Sequence, residues 1–255
     1  MPDKPATHRP VWPVSSSAQW PLMHAGRRNR LRTALGLLLV LLVPASAGAF
    51  SFADAAAVGK TPAVAVVGDS LAWQANASIE SDLSQSGYVE RVSVNPGHAL
   101  SSAWTQSELR EDLQEKRFGI IVIETASNDS FQVARKADPL DKYAELLVSL
   151  LRAATGRCVV VVNAKVDVTP FYYRPSDALA VNRVISQTAA KYPNERIVAW
   201  NQEAQTHDSW FRSDLLHFTS VTPNALLTSD PPPSSDQSAG DKAFARAIVA
   251  GVKSC

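Results

Sequence analysis

From Pro62 to the end of the chain, short uninterrupted apolar runs alternate with longer amphipathic stretches. Ala63–Val67, Phe118–Ile123 and Cys158–Val162 are continuous apolar runs of strand length, as expected of strands covered on both faces. Val89–Val94 alternates and closes at Asn95-Pro96-Gly97, and Arg196–Trp200 supplies a fifth strand. Between them, Leu71–Ser86, Ser102–Lys116, Pro139–Ala154 and Ser176–Tyr192 carry helical periodicity, with Gly87, Gly156 and Pro193 as stops. Gly240–Lys253 is a closing helix. Strands that alternate with helices predict an α/β fold: three layers, α/β/α, around a five-stranded parallel sheet in the flavodoxin-like order 2-1-3-4-5. In such a sheet the chemistry gathers where the strands end, at their carboxyl edge.

The pattern before Pro62 is of another kind. Arg27, Arg28, Arg30 and Arg32 precede an apolar run, Ala34–Val43, then Pro44 and the small residues Ala45-Ser46-Ala47-Gly48-Ala49. A basic segment, a short apolar core and an A-x-A site describe a signal peptide over residues 1–49, cleaved after Ala47 or Ala49. The alternative is an uncleaved anchor, for which the apolar stretch is at the lower length limit. Residues 50–61 read as a linker and 62–255 as a single catalytic domain. The 255 residues are 45% hydrophobic, enough for one core. The formal net charge is +1, but residues 1–49 hold six basic side chains against one acid, so the body is mildly acidic and has no electrostatic reason to seek nucleic acid. With two cysteines and no Cys/His cluster, no metal site is expected.

Three polar groups follow different strands. Gly68-Asp69-Ser70 comes after the first: Gly68 permits a tight turn, and Ser70 opens the next helix with its hydroxyl at the sheet edge and its N–H at a helix start. Ordinary helix capping explains the same residues when they are taken alone. Asn95-Pro96-Gly97 and Ala126-Ser127-Asn128-Asp129 follow the second and third strands, where Gly97 can offer a backbone N–H and Asn128 a side-chain N–H; turn chemistry explains each separately. Asp214-Leu215-Leu216-His217 follows the last strand, with a spacing that lets the carboxylate reach the imidazole and leave Nε2 as a base. His207-Asp208 is a rival base pair with poorer spacing. His98 is expected at the rim, and Trp73, Trp104 and Trp210 either line an apolar pocket or belong to the core. The G-x-S-x-G motif is absent at Ser70.

Taken in this order, these residues resemble the blocks of the SGNH hydrolases, also called GDSL esterases, over nearly all of Pro62–Cys255. Gly68-Asp69-Ser70 matches the first block, Gly97 the second, Ala126-Ser127-Asn128-Asp129 the G-x-N-D of the third, and Asp214 through His217 the final D-x-x-H. The resemblance implies a serine esterase with Ser70 as nucleophile, His217 as general base and Asp214 as its orienter. It also implies an oxyanion hole of Ser70, Gly97 and Asn128, and no cofactor. Ala126 departs from the family glycine, which is expected to shift the loop that aims Asn128 slightly. The long segment 218–239 is either a surface loop or a wall of the acyl pocket. Expected partners are a small-molecule or cell-envelope ester, with no nucleic acid. Membrane contact is expected only through an uncleaved N-terminus, the chain is expected to be a monomer, and its place is outside the cytoplasm. An O-acyltransferase of the same fold and a catalytically idle binding protein are the alternatives.

Topology also pairs the cysteines. Cys158 opens the fourth strand, at the amino edge of the sheet. The closing helix starts near the carboxyl edge and runs antiparallel to the strands, so Cys255 returns to the same amino edge. A disulfide is expected there in an oxidising compartment.

Overall fold

The computed structural model describes residues 61–220, 231 and 234–255. The signal-peptide reading (1–49) and all of the linker (50–61) but Thr61 lie outside the described residues, as do 221–230, 232 and 233 of the long loop. Five strands, β1 (Ala63–Gly68), β2 (Val89–Val94), β3 (Phe118–Glu124), β4 (Cys158–Val162) and β5 (Glu195–Val198), form one sheet in the order β2-β1-β3-β4-β5, every pair parallel. This is the order the apolar pattern predicts. The helices are α1 (Ser70–Gln74), α2 (Asn76–Gln85), α3 (Ala103–Gln114), α4 (Ala126–Ala134), α5 (Leu140–Ala153), α6 (Pro175–Ala189), α7 (Trp200–Ala204) and α8 (Ala239–Lys253). α2 and α8 pack together, and α4, α5 and α6 form a second packed group. The central strands β1, β3 and β4 are sealed between such layers: Val64, Ala65, Val66 and Val67 are inaccessible, as are Ile121, Val122, Val159 and Val160.

Local rules explain most helix bounds. α5 begins after Pro139, carries Asp141 in its first turn and Arg152 in its last, and buries Tyr143, Leu147, Leu150 and Leu151 along one stripe. α8 begins with a capping box of Ser238 and Asp241. Three elements differ from the expectation. The helix predicted over Leu71–Ser86 is two helices that meet at Ala75, because the Gln74 carbonyl accepts the Gln237 amide at 2.6 Å instead of continuing an unbroken ladder. Ala126–Asp129, expected as a loop, is the first turn of α4. Trp200 starts α7 rather than ending β5, since the Asn201 N–H turns to Asn163 Oδ1 at 2.8 Å.

Register sets the position of the site. Gly68 is level with Val94 on one side and Glu124 on the other, so β1, β2 and β3 leave the sheet at one rim. At the opposite edge Cys158 and Cys255 form a disulfide, with Cα atoms 5.9 Å apart. Among the described residues no helix is long and apolar enough to cross a membrane.

Candidate active site

At the carboxyl rim a hydrogen-bonded chain runs through three side chains from two distant segments. His217 Nε2 lies 3.1 Å from Ser70 Oγ, and His217 Nδ1 lies 3.0 Å from Asp214 Oδ2. Ser70 and His217 are both buried, with 7% and 5% of their surface exposed, so the contact is largely withdrawn from water. Asp214 is held from several directions. Its Oδ1 accepts the N–H groups of Leu216 and His217, both at 2.9 Å, and its Oδ2 also meets Arg212 at 3.0 Å and the Tyr172 hydroxyl at 3.5 Å. The D-x-x-H spacing works through this tight loop, not through a helical turn, and Leu215 adopts a positive φ of 57° to close it. Burial by itself would raise the Asp214 carboxyl. The hydrogen bonds from His217 and Leu216 and the His217 charge outweigh it and hold Asp214 far below the usual carboxylate range. Asp214 is therefore a fixed anion that orients Nδ1–H and turns Nε2 toward Ser70.

The turn after β1 is built around Asp69. Its Oδ1 caps the Leu71 N–H at 3.0 Å, and its Oδ2 accepts an Asn128 Nδ2–H at 2.7 Å. Asn128 thus reaches the Ser70 turn from α4 with one of its two N–H bonds engaged by Asp69; an amide has a second. Ala126 is buried in the first turn of α4, two residues before Asn128. Gly97 occupies an exposed turn after β2 at φ +82°, a conformation that L side chains rarely adopt, and Asn95 ties that turn to the Gly68 carbonyl at 3.0 Å. Asp129 is buried, accepts the Leu100 N–H and the Thr125 hydroxyl, and is pushed up to about 8 by desolvation. Its hydrogen bonds join the β2 loop to the start of α4.

Several residues that support this geometry were not singled out in the sequence. Gln74 is fully buried: its Nε2 donates to the Ser70 carbonyl at 3.0 Å and its Oε1 accepts the Phe218 N–H at 2.8 Å. One side chain therefore ties Ser70 to the residue after His217. Its i+4 spacing from Ser70 is the only signal the sequence holds for it. Tyr172 sets its ring edge-on to His217 at 5.5 Å, and the neighbouring Phe171 is 73% exposed. Below the Asp214 loop, Trp200 packs among Trp210, Phe211, Phe218 and Phe244. The buried Lys165 sits 5.0 Å from the Phe211 ring and donates to the Asp167 carbonyl.

The remaining candidates fall elsewhere. His207 stacks on Trp210 at 3.8 Å, and its Nδ1 faces Thr206 and the Glu203 carbonyl, not Asp208. Trp73 is buried core, and Trp210 belongs to the aromatic group just described. His98 lies beside Gly97 with Nδ1 on Ser102 and its ring 5.2 Å from the half-buried Trp104; desolvation lowers its pKa, partly opposed by the Asp69 charge. Among the described residues no cluster of His, Cys, Asp and Glu could hold a metal ion.

No protein-family model and no curated protein matches the sequence. Solved structures do share the fold. The C-terminal catalytic domain of peptidoglycan O-acetyltransferase A (OatA) from Streptococcus pneumoniae superposes with a TM-score of 0.54 at 20% identity, over 77% of this chain and 95% of that one. A lipase/acylhydrolase from Enterococcus faecalis gives 0.58 at 12% identity, over 75% and 95%. An acetylxylan esterase from Geobacillus stearothermophilus gives 0.53 at 14% identity, over 76% and 95%. The chain has the three-layer fold of SGNH-type esterases and acyltransferases, which bears out the sequence resemblance at the level of architecture.

Proposed function

We propose that the chain is an exported serine esterase that cleaves carboxylic esters through an acyl-enzyme on Ser70. The observation that carries this reading is the buried Ser70–His217–Asp214 relay at the carboxyl rim of the sheet. His217 Nε2 removes the Ser70 proton as Oγ attacks the ester carbonyl, and the carbonyl oxygen becomes an oxyanion. N–H groups of Ser70, Gly97 and Asn128 receive that charge. His217 then gives its proton to the departing alkoxide, leaving an acyl-serine. Water enters, loses a proton to His217 and attacks the acyl carbon, and collapse of the second oxyanion returns the proton to Ser70 and frees the acid. Every proton step runs between Ser70, His217, the substrate oxygens and the attacking water, so the scheme needs no cofactor. Export is supported by the N-terminal segment and by the disulfide, which suits an oxidising compartment. The substrate on this reading is a small or cell-envelope ester.

A serine-directed fluorophosphonate probe tests the chemistry. Wild-type protein is expected to label and Ser70→Ala is not; absence of labelling in both would identify an idle binding protein. Product analysis with added acceptor alcohols or sugars tests the acceptor: free acid is expected to dominate, and acyl transfer to the added acceptor would make the protein an O-acyltransferase.

A further inference from the structure

The first turn of α1 has backbone N–H groups that lack helical partners, as every helix start does. Two of them meet carboxyls: Leu71 N–H meets Asp69 Oδ1, and Ala72 N–H meets Glu124 Oε2 at 3.2 Å. The same Glu124 oxygen takes the Asp69 N–H at 3.1 Å, while the Glu124 backbone carbonyl takes it at 2.9 Å. Neither carboxyl takes the Ser70 N–H that lies between these contacts. Glu124 ends β3, is 2% exposed, and has no part in the relay of Ser70, His217 and Asp214. Close packing keeps it in place: a Cβ on Gly68 would fall 2.3 Å from the Ala72 Cβ and 3.4 Å from Glu124 Oε2.

We propose, resting on the esterase reading, that Glu124 is a positioning residue: its carboxyl fixes the turn that carries Ser70 and, through Asp69, aims the Asn128 amide at the oxyanion. The bond from the Asp69 N–H to Glu124 Oε2 brings two buried carboxyls close together, and a proton on one of them avoids two adjacent buried negative charges. Burial raises both carboxyls; at Glu124 the Asp69 charge adds to it and carries the group well above the usual carboxylate range, whereas at Asp69 hydrogen bonds, among them those from Leu71 and Asn128, oppose it, so the proton belongs to Glu124. Glu124 is then a neutral acid with one donor and two-fold acceptor duty. Asp69 is an anion that can accept from Leu71, Glu124 and Asn128 at once. An ionised Glu124 would repel Asp69 and loosen the hold on Asn128.

The chain needs a donor at position 124 and an acceptor at position 69, which makes isosteric variants informative. Glu124→Gln keeps a carbonyl for the two N–H groups and an N–H for Asp69. Its kcat on a short-chain aryl ester is expected within about threefold of wild type, since no transition-state contact is lost. Glu124→Met removes both functions at similar volume and is expected to lower kcat by about tenfold or more with KM little changed. Combined with Asn128→Ala it should add little to the loss caused by Asn128→Ala alone, because both act on one donor. If Glu124→Met melts below the assay temperature, Asp69→Asn replaces it: this variant is expected to lose kcat where Glu124→Gln keeps it. Equal effects of Glu124→Gln and Asp69→Asn, a Glu124→Met that keeps kcat, or full additivity with Asn128→Ala would overturn the proposal. Ser70→Ala, run in parallel, separates the two levels. Turnover that survives Ser70→Ala overturns the esterase reading and this inference with it, whereas Ser70-dependent turnover that ignores Glu124 overturns the inference alone.

Discussion

Ser70→Ala and His217→Ala are each expected to remove nearly all turnover of an aryl ester while thermal melting stays cooperative. Asp214→Asn is expected to retain more, because the imidazole stays near Ser70 and only its orientation is lost. Asn128→Ala should lower kcat by roughly 10²–10³ with little change in KM, as an oxyanion donor acts when charge develops. A predominantly KM effect would make Asn128 a ground-state contact. Gln74→Met removes the tether between the Ser70 carbonyl and the Phe218 N–H. It leaves a buried N–H without its partner at a cost of about 1–3 kcal/mol. Because it also relaxes the spacing of nucleophile and base, probe labelling of Ser70 should slow together with kcat. A variant that loses stability but labels at the wild-type rate would reduce Gln74 to a packing residue.

β5 and α6 meet through Glu195, whose Oε1 accepts the Thr188 hydroxyl at 3.1 Å at the start of the edge strand. Desolvation pushes this carboxyl up to about 7, with the Thr188 bond opposing. In the unfolded chain it titrates near its ordinary value of about 4.3. Between these values the folded state keeps a proton that the unfolded state has released, so this group makes stability fall as pH rises from about 4 to about 7 and level off above. Glu195→Gln carries no such titration. It should melt several degrees above wild type at pH 8 and at nearly the same temperature at pH 4. Parallel melting curves of the two proteins across that range would contradict the assignment. At the start of α8 the buried Asp241 accepts both the N–H and the hydroxyl of Ser238 on Oδ2.

Across the whole molecule, the disulfide joins the fourth strand to the last residue and spans a sequence separation of 97. Cross-links that close long loops restrict the unfolded chain, typically by about 2–4 kcal/mol. Cys255→Ser, or reduction of the wild type, should therefore lower Tm by several degrees while Ser70 labelling at room temperature persists. The bond ties down the far end of α8, at the edge of the sheet opposite the site. Mass spectrometry of the non-reduced protein should find no thiol open to alkylation. Two freely alkylating cysteines would exclude the bridge in solution.

The strand order, the shared rim and the cysteine pairing follow from features local in sequence. Apolar runs of strand length that alternate with amphipathic helices mark strands sealed on both faces, and parallel strands joined by helices bring the residues after each strand to one edge. For that reason Ser70, Asn128, Asp214 and His217 were legible: each follows a strand as a short motif. Tertiary structure alone decided which groups hold them. Gln74 looks like any helix residue until its amide meets Phe218, 144 positions away. Glu124 is a lone acid at the end of an apolar run until β3 brings it beside the turn of Asp69, 55 positions away. His207 and His217 are both histidines near aspartates, and only the stacking of one on Trp210 and the approach of the other to Ser70 separate them. A hydrophobic pattern records which side of an element is buried. Which polar group meets another inside that interior depends on distances between elements, and the chain sets these only when it packs.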